Sequence, residues 1–319
     1  MNARRIFGVA IFGMAISVML ATTLCGQETE AVEQPNKAAA SEKKAAKARE
    51  MDHFMRIGHD RRGRAVSLET SITRYETVNA NNEVVTVDLI GAVHVGEKEY
   101  YEQLNEQFKK YDALLYELVA PKGTRIPKGG DREEGGLNPI AAFQLGLKSF
   151  LKLEFQLDHI DYECDNFVHA DMSPEEFLES MANNDESFSK IFLKAMGQSM
   201  AMQSGNQVSS GDLLLAAFSK NPTLKFRKTM AQQMRDMEGG MAMFEGKDGS
   251  TIINHRNAKA MDVLRQEIAG GKRKIAVFYG AGHLPDMQLR LTSDFKMKRG
   301  GQFWLTAWKL VEPSKTVEK

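Results

Sequence analysis

A chain of 319 residues suffices for one large domain or two small ones, and 42% hydrophobic with 26% charged side chains is the make-up of a globular protein. Lys plus Arg equals Asp plus Glu at 42 each, which excludes the strongly basic surface that nucleic acid or an anionic membrane selects. Two cysteines make no disulfide framework, so the fold must stand on its core, which a chain this long can bury.

The first residues read as a targeting segment. Arg4 and Arg5 precede an uncharged, mostly apolar run over 6–24, and the sequence turns polar at Gln27. Ala21, Thr22 and Thr23 are small enough for a signal peptidase. The run is also long enough for an uncleaved membrane anchor. Leu24 is bulky where a lipoprotein signal places a small residue before Cys25. Residues 1–26 are therefore expected to be a signal peptide or membrane anchor. Residues 27–50, rich in Ala, Glu, Lys and Gln, read as a disordered spacer. A single α/β domain should follow over 51–312, with a loose tail at 313–319. The protein is expected to be exported: periplasmic, secreted, or anchored on the non-cytoplasmic side. There Cys164 would have no partner within the chain.

The stretch 66–78 is rich in Thr, Ile, Val and Tyr and predicts a strand. Asn79, Asn81 and Asn82 supply turn chemistry, and the apolar run from Val84 predicts the second strand of an antiparallel hairpin. That run breaks at Gly91, whose missing Cβ would let the backbone turn, and His94 follows. Tyr100, Leu104, Phe108 and Tyr111 recur at helical spacing, so a helix should run to about Lys110. A buried strand over 112–119 completes a parallel strand–helix–strand unit. This unit sets His94 and Glu117 on one sheet edge. A glutamate late in a buried strand is the least expected residue there, because an unpaired buried carboxylate is costly.

A glycine-rich loop over 121–139 and an apolar helix over 140–151 come next. Ser173, Pro174 and Glu176 form a capping box opening a helix that buries Phe177, Leu178 and Met181. Ten of the 18 methionines fall within 181–261. That region reads as helices without strands, either an adaptable core or a pliable lid over an apolar or peptide ligand. The stretch of about 140–250 is taken as a helical insertion. Asn254 can cap a helix with the apolar face Ala258, Met261, Leu264 and Ile268, and Arg256 lies in its first turn. Gly270 and Gly271 end that helix. A second buried strand over 274–279 runs into Gly280, Ala281, Gly282 and His283. The last strand, over 303–311, should carry Trp304 and Trp308 on one face.

Two copies of strand, glycine, two residues, histidine are thus placed at strand ends, where open α/β sheets bind ligands. His94, His283 and Glu117 suit a divalent metal such as Mn, Co or Zn. Glu117 reads as a ligand or as the general base, and equally as the partner of Arg256 in a buried salt bridge. Arg256 could stabilise an oxyanion; its helix runs antiparallel to the strand that follows, so its first turn returns over the strand's carboxyl end. His169, His159 and His255 read as structural, and His53 and His59 as solvated.

The segments Gly91-Ala92-Val93-His94, Leu115-Tyr116-Glu117-Leu118, His255-Arg256-Asn257 and Gly280-Ala281-Gly282-His283-Leu284-Pro285 together resemble the TraB/PrgY/GumN family, which includes the TIKI proteins. The resemblance spans roughly 65–310 and matches in order and approximate spacing. It implies paired GxxH motifs on an EreA/ChaN-like fold: α/β, with a central mixed, largely parallel sheet, flanking helices and a helical insertion. TIKI members are described as metal-dependent proteases using Mn or Co. Erythromycin-esterase-like and ChaN-like haem-binding proteins are more distant relatives. The resemblance assigns His94, Glu117, Arg256 and His283 to the site. Two functions follow as expectations. One is an exported metal-dependent hydrolase, a peptidase acting on a peptide or small-molecule substrate. The other is a non-catalytic peptide- or haem-binding protein of the same fold.

Overall fold

A computed structural model describes residues 53–121, 123–124, 150–184, 221–240 and 251–312. The targeting segment, the spacer, the tail, most of the glycine-rich loop and about half of the expected insertion lie outside the described residues. Among the described residues no helix is long and apolar enough to cross a membrane.

The chain opens with β1 (Met55–His59), β2 (Ala65–Val78) and β3 (Val84–Ala92). The β2–β3 hairpin forms as expected, with Val78 facing Val84. Asn79 closes the turn: its Oδ1 accepts the N–H groups of Asn81 at 3.0 Å and Glu83 at 2.9 Å, and Asn82 adopts a left-handed φ of 61°. Asparagine tolerates that conformation better than most residues. A short β4 (Val95–Gly96) leads to α1 (Lys98–Phe108) and β5 (Ala113–Tyr116). Then come β6 (Glu154–Phe155), α2 (Gln156–His159), β7 (Phe167–His169), α3 (Pro174–Asn183) and α4 (Pro222–Gly240). A π-helical turn over Thr251–His255 runs into α5 (Arg256–Ala269), β8 (Lys274–Gly280), a 3-10 turn (Ala281–His283), α6 (Leu284–Ser293) and β9 (Lys298–Lys309).

The protein is α/β with a mixed, mostly parallel sheet and flanking helices. Seven strands take the order β1-β2-β3-β8-β5-β7, with β9 also paired to β2. The pairs β3–β8, β8–β5 and β5–β7 are parallel. Since β1, β3 and β9 all pair antiparallel with β2, only β2 runs against the rest. The strands β3 and β5 are parallel as expected, but β8 lies between them. Alternation sorts the core into two faces. Ile90, Leu114, Tyr116, Ala276 and Phe278 pack with α1 on one. Val87, Leu89, Leu115, Val277 and Tyr279 pack against Ala260, Met261 and Leu264 of α5 and Met287 of α6 on the other.

Several local expectations are corrected. Strand β5 ends at Tyr116, so Glu117 sits just past the strand rather than within it. The stretch taken for a helical insertion contains β6 and β7, and β7 belongs to the main sheet, paired with β5. The capping box on Ser173 is present and α3 buries Phe177 and Met181, but Leu178 is 47% exposed. Asn254 does not cap α5, because the π-helical turn continues the helical path through it. Trp304 and Trp308 do not share a face. A register irregularity sets Trp308 opposite Leu68 and Trp304 opposite Ser71, three residues apart and so on opposite faces of β2.

Candidate active site at the carboxyl edge of the sheet

The parallel register sets three strand ends side by side. Ala92 faces Gly280, and Tyr116 faces Phe278. The residues just beyond them are His94, Glu117 and the turn bearing His283, so the predicted residues share one edge. The connection after β3 is pinned from α1. The Tyr100 hydroxyl donates to the Gly91 carbonyl at 2.9 Å, and the Tyr101 hydroxyl to that of Val93 at 3.0 Å. Gly91 itself lies inside β3 and does not turn the chain; a Cβ there would meet neighbours at an ordinary 3.5 Å. Gly280 is different. Its N–H donates to Glu117 Oε2 at 2.7 Å, and a Cβ would crowd that oxygen at 3.3 Å. Glycine at 280 therefore serves the close approach of backbone to carboxylate.

Arg256, the first residue of α5, is 4% exposed. Its Nε donates to Asp171 Oδ1 at 2.9 Å and its Nη2 to Glu117 Oε1 at 2.7 Å, with a second bond from Nη2 to Asp171 Oδ2. The salt bridge between Glu117 and Arg256 is thus formed, and Asp171 makes it a triad. Among the described residues Nη1 makes no hydrogen bond. Asp171 lies two residues past β7, is 2% exposed, and also accepts the N–H of Met172 at 2.8 Å.

His283 is 6% exposed. Asn257, the second residue of α5, donates through Nδ2 to the His283 carbonyl at 3.0 Å and to Asp286 Oδ2 at 2.8 Å. Those bonds orient the amide, so its Oδ1 must accept from His283 Nδ1, 2.7 Å away. The ring therefore carries its proton on Nδ1, and the Nε2 lone pair faces Glu117 Oε1 at 3.5 Å. Burial pushes the His283 pKa down to about 4, against the pull of Glu117, so the ring is neutral at pH 7. His94 is partly buried, and burial lowers its pKa too, against the Glu117 charge. Burial alone would raise Glu117, but Arg256, then the two histidines and the Gly280 N–H, outweigh it and hold the carboxyl well below the usual range. A carboxylate that acidic is a weak proton acceptor, which favours an electrostatic or ligand role over that of general base.

The donor chemistry suits a divalent ion. Two neutral imidazoles and an ionised carboxylate are available, and Asn257 holds the outer nitrogen of one ring as metal-ligating histidines require. The assembly is incomplete, however. Among the described residues no group of three or more His, Cys, Asp or Glu side chains stands so as to hold a metal ion. The close pair is His283 and Glu117, with His94 in electrostatic reach of both.

The other histidines take part elsewhere. His169 Nε2 donates to the Leu118 carbonyl at 2.6 Å, His159 meets Glu154 at 3.2 Å and stacks on Tyr101, and His255 bonds Ser180 at 3.0 Å. His59 is exposed. Sequence reasoning missed Asp171, Asn257 and Gln156. Asp171 reads as a turn residue ahead of a helix cap, and Asn257 stood unused within the quoted His255-Arg256-Asn257 segment. Gln156 carries no local signal. No family model matches the chain, and neither does any curated protein or solved structure.

Proposed function

We propose that the protein is an exported, metal-dependent hydrolase that cleaves peptide bonds, with its site at the carboxyl edge formed by His94, Glu117, Arg256 and His283. The observation that carries this reading is the unprotonated Nε2 of His283 facing the ionised Glu117 carboxylate at 3.5 Å. Arg256 already donates to that carboxylate oxygen, but the His283 lone pair turned on it across a buried gap favours a further cation between them. Charge count agrees: Glu117 and Asp171 set two carboxylates against one guanidinium. His283 and Glu117 would hold the ion and His94 would complete the set. When bound, a Mn, Co or Zn ion acidifies a water and polarises a carbonyl.

The chain's own groups supply the rest. Asp171 grips Arg256 through Nε and Nη2 and so fixes the guanidinium plane. That leaves Nη1 to donate to the oxygen of a carbonyl under attack. The resemblance to the TraB/PrgY/GumN family, with its EreA/ChaN-like fold, favours the same chemistry. It also carries the second reading of a non-catalytic peptide or haem binder. The apolar segment over 6–24 supports export, cleaved or anchored.

Elemental analysis of the purified mature protein tests the reading. Stoichiometric Mn, Co or Zn, lost in the His94→Ala/His283→Ala double variant, is expected. A folded wild type that takes up no divalent ion on dialysis overturns it. Uptake of haem alone would establish the binder instead.

A further inference from the structure

The short strands β4 and β6 pair antiparallel, Val95 opposite Phe155 and Gly96 opposite Glu154. The ladder takes one further step, because the main-chain N–H of Gln156 donates to the His94 carbonyl at 2.9 Å. His94 and Gln156 therefore stand opposite each other with their side chains on one face. Gln156 is 6% exposed, and its side chain is the hydrogen-bond partner of the His94 ring. Its Nε2 donates to the Tyr162 hydroxyl at 2.8 Å, which orients the amide and turns Oε1 to the ring. Tyr162 is held in turn, edge-on against Tyr116 and Phe167. A carbonyl oxygen only accepts, so the ring nitrogen it meets carries the proton. The bond raises the His94 pKa against the effect of burial, as an accepting oxygen does.

The other histidine has a matching partner. Asn257 reaches both the carbonyl and the ring of His283, its amide oriented by Asp286. Gln156 reaches both the carbonyl and the ring of His94, its amide oriented by Tyr162. We propose that Gln156 is the positioning residue of His94: its Oε1 holds the ring proton on the near nitrogen and keeps the far nitrogen unprotonated, ready for a cation shared with His283 and Glu117. This rests on the metal-dependent reading of the same site and deepens it. A neutral imidazole carries its proton on either nitrogen, and only the unprotonated one ligates a metal. A carboxamide settles that choice without charge. A carboxylate at 156 would add a third negative group to Glu117 and Asp171.

Nitrogen NMR on the full chain, labelled in histidine and carrying no metal, reads the proton directly. At about pH 8 both rings are neutral, since burial lowers both pKa values from the ordinary range. The His94 signals are assigned by their loss in His94→Ala. Wild type should show a single His94 tautomer whose ring N–H has a nuclear Overhauser contact with the Gln156 side chain. Gln156→Met, similar in shape but without the acceptor, should mix the two His94 tautomers and leave His283 in one; Asn257→Leu should do the reverse. Zinc affinity, followed by competition with a chelating dye, should fall roughly tenfold to a hundredfold in Gln156→Met.

A wild-type His94 ring that populates both tautomers, or carries its proton on the nitrogen away from Gln156, overturns the proposal. So does a single tautomer, or an unchanged zinc affinity, in Gln156→Met. The wild-type measurement needs no variant to fold. If the wild type takes up no divalent ion while Gln156→Met still mixes the His94 tautomers, the metal-dependent reading fails and the positioning role stands. If zinc binds a wild type whose metal-free His94 ring is mixed, the positioning role fails and the metal-dependent reading stands.

Discussion

Two carboxylate–arginine networks on the sheet are built on opposite plans. In the middle of β3, Asp88 accepts Nε and Nη2 of Arg74 at 2.9 Å each, and the Tyr111 hydroxyl donates to it at 2.8 Å. One negative charge meets one positive charge, and the Arg74 side chain is 36% exposed, so its charge keeps contact with water. At the strand ends, Arg256 serves two carboxylates with its side chain 5% exposed. His283 presents a lone pair to one of them. The first network is closed and balanced, which suits a structural role. The second is short of positive charge, as the proposed cation site would be before its ion is bound. Shielded carboxylates are common to both; the balance of charge and the exposure of the arginine separate them.

The comparison breaks most readily at its two arginines. Arg256→Ala removes the one cation that Glu117 and Asp171 share and should destabilise the protein by roughly 3–5 kcal/mol in urea unfolding. Arg256→Lys should retain the fold and lower peptide cleavage by roughly a hundredfold or more. Turnover unchanged in the lysine variant would leave Arg256 a structural role, like that of Arg74.

Acid should reach the strand-end network through its histidines. The folded His283 value, about 4, lies below the ordinary 6.5. The unfolded state therefore binds more protons between those values, and stability falls as pH falls through that window. Metal-free protein should lose roughly 3 kcal/mol of unfolding free energy from pH 6.5 to 4 through this group. Glu117, held below its usual range, adds a further loss below about 4.5. His283→Gln should remove the first part of the slope; a slope unaltered by it would show that the ring is not buried neutral.

Asn257→Leu sharpens the contrast at smaller scale. Freed from Nδ1 control, His283 should bind a divalent ion roughly tenfold to a hundredfold more weakly, as followed by competition with a chelating dye. Unchanged affinity would argue against His283 as a ligand. The smallest effect on function should come from the balanced network. Asp88→Asn should cost roughly 1–3 kcal/mol of stability and leave kcat/KM unchanged; a loss of turnover at full folding would erase the distinction drawn between the two networks.

Much of the edge was legible before the fold. The β2–β3 hairpin, the capping box on Ser173, the helix ending at Gly270 and Gly271, and the strand leading to His283 all follow from short-range chemistry. Strand pattern, turn asparagines and caps act within a few residues, so their spacing along the chain carries the signal. The paired GxxH segments and Arg256 were legible for the same reason. Glu117 announced itself as a charge where a strand should be apolar. The two tryptophans misled because a register irregularity between β2 and β9 shifts side-chain phase, and only the partner strand reveals it.

By itself the sequence determined the β2–β3 hairpin, the helix after His94, the capped helix at Ser173, the strand leading to His283, and the placing of His94, Glu117 and His283 at strand ends, because hydrophobic alternation and capping are local; β6 and β7 escaped it. Tertiary structure alone decided that β8 slides between β3 and β5. It also decided that Asp171 joins Glu117 on one guanidinium, that Asn257 sets the His283 proton, and that Gln156 reaches the site from a separate turn. Those outcomes depend on strand order and on the pairing of buried polar groups. Both are settled between residues far apart in the chain, where desolvation makes each unmatched charge or hydrogen bond costly.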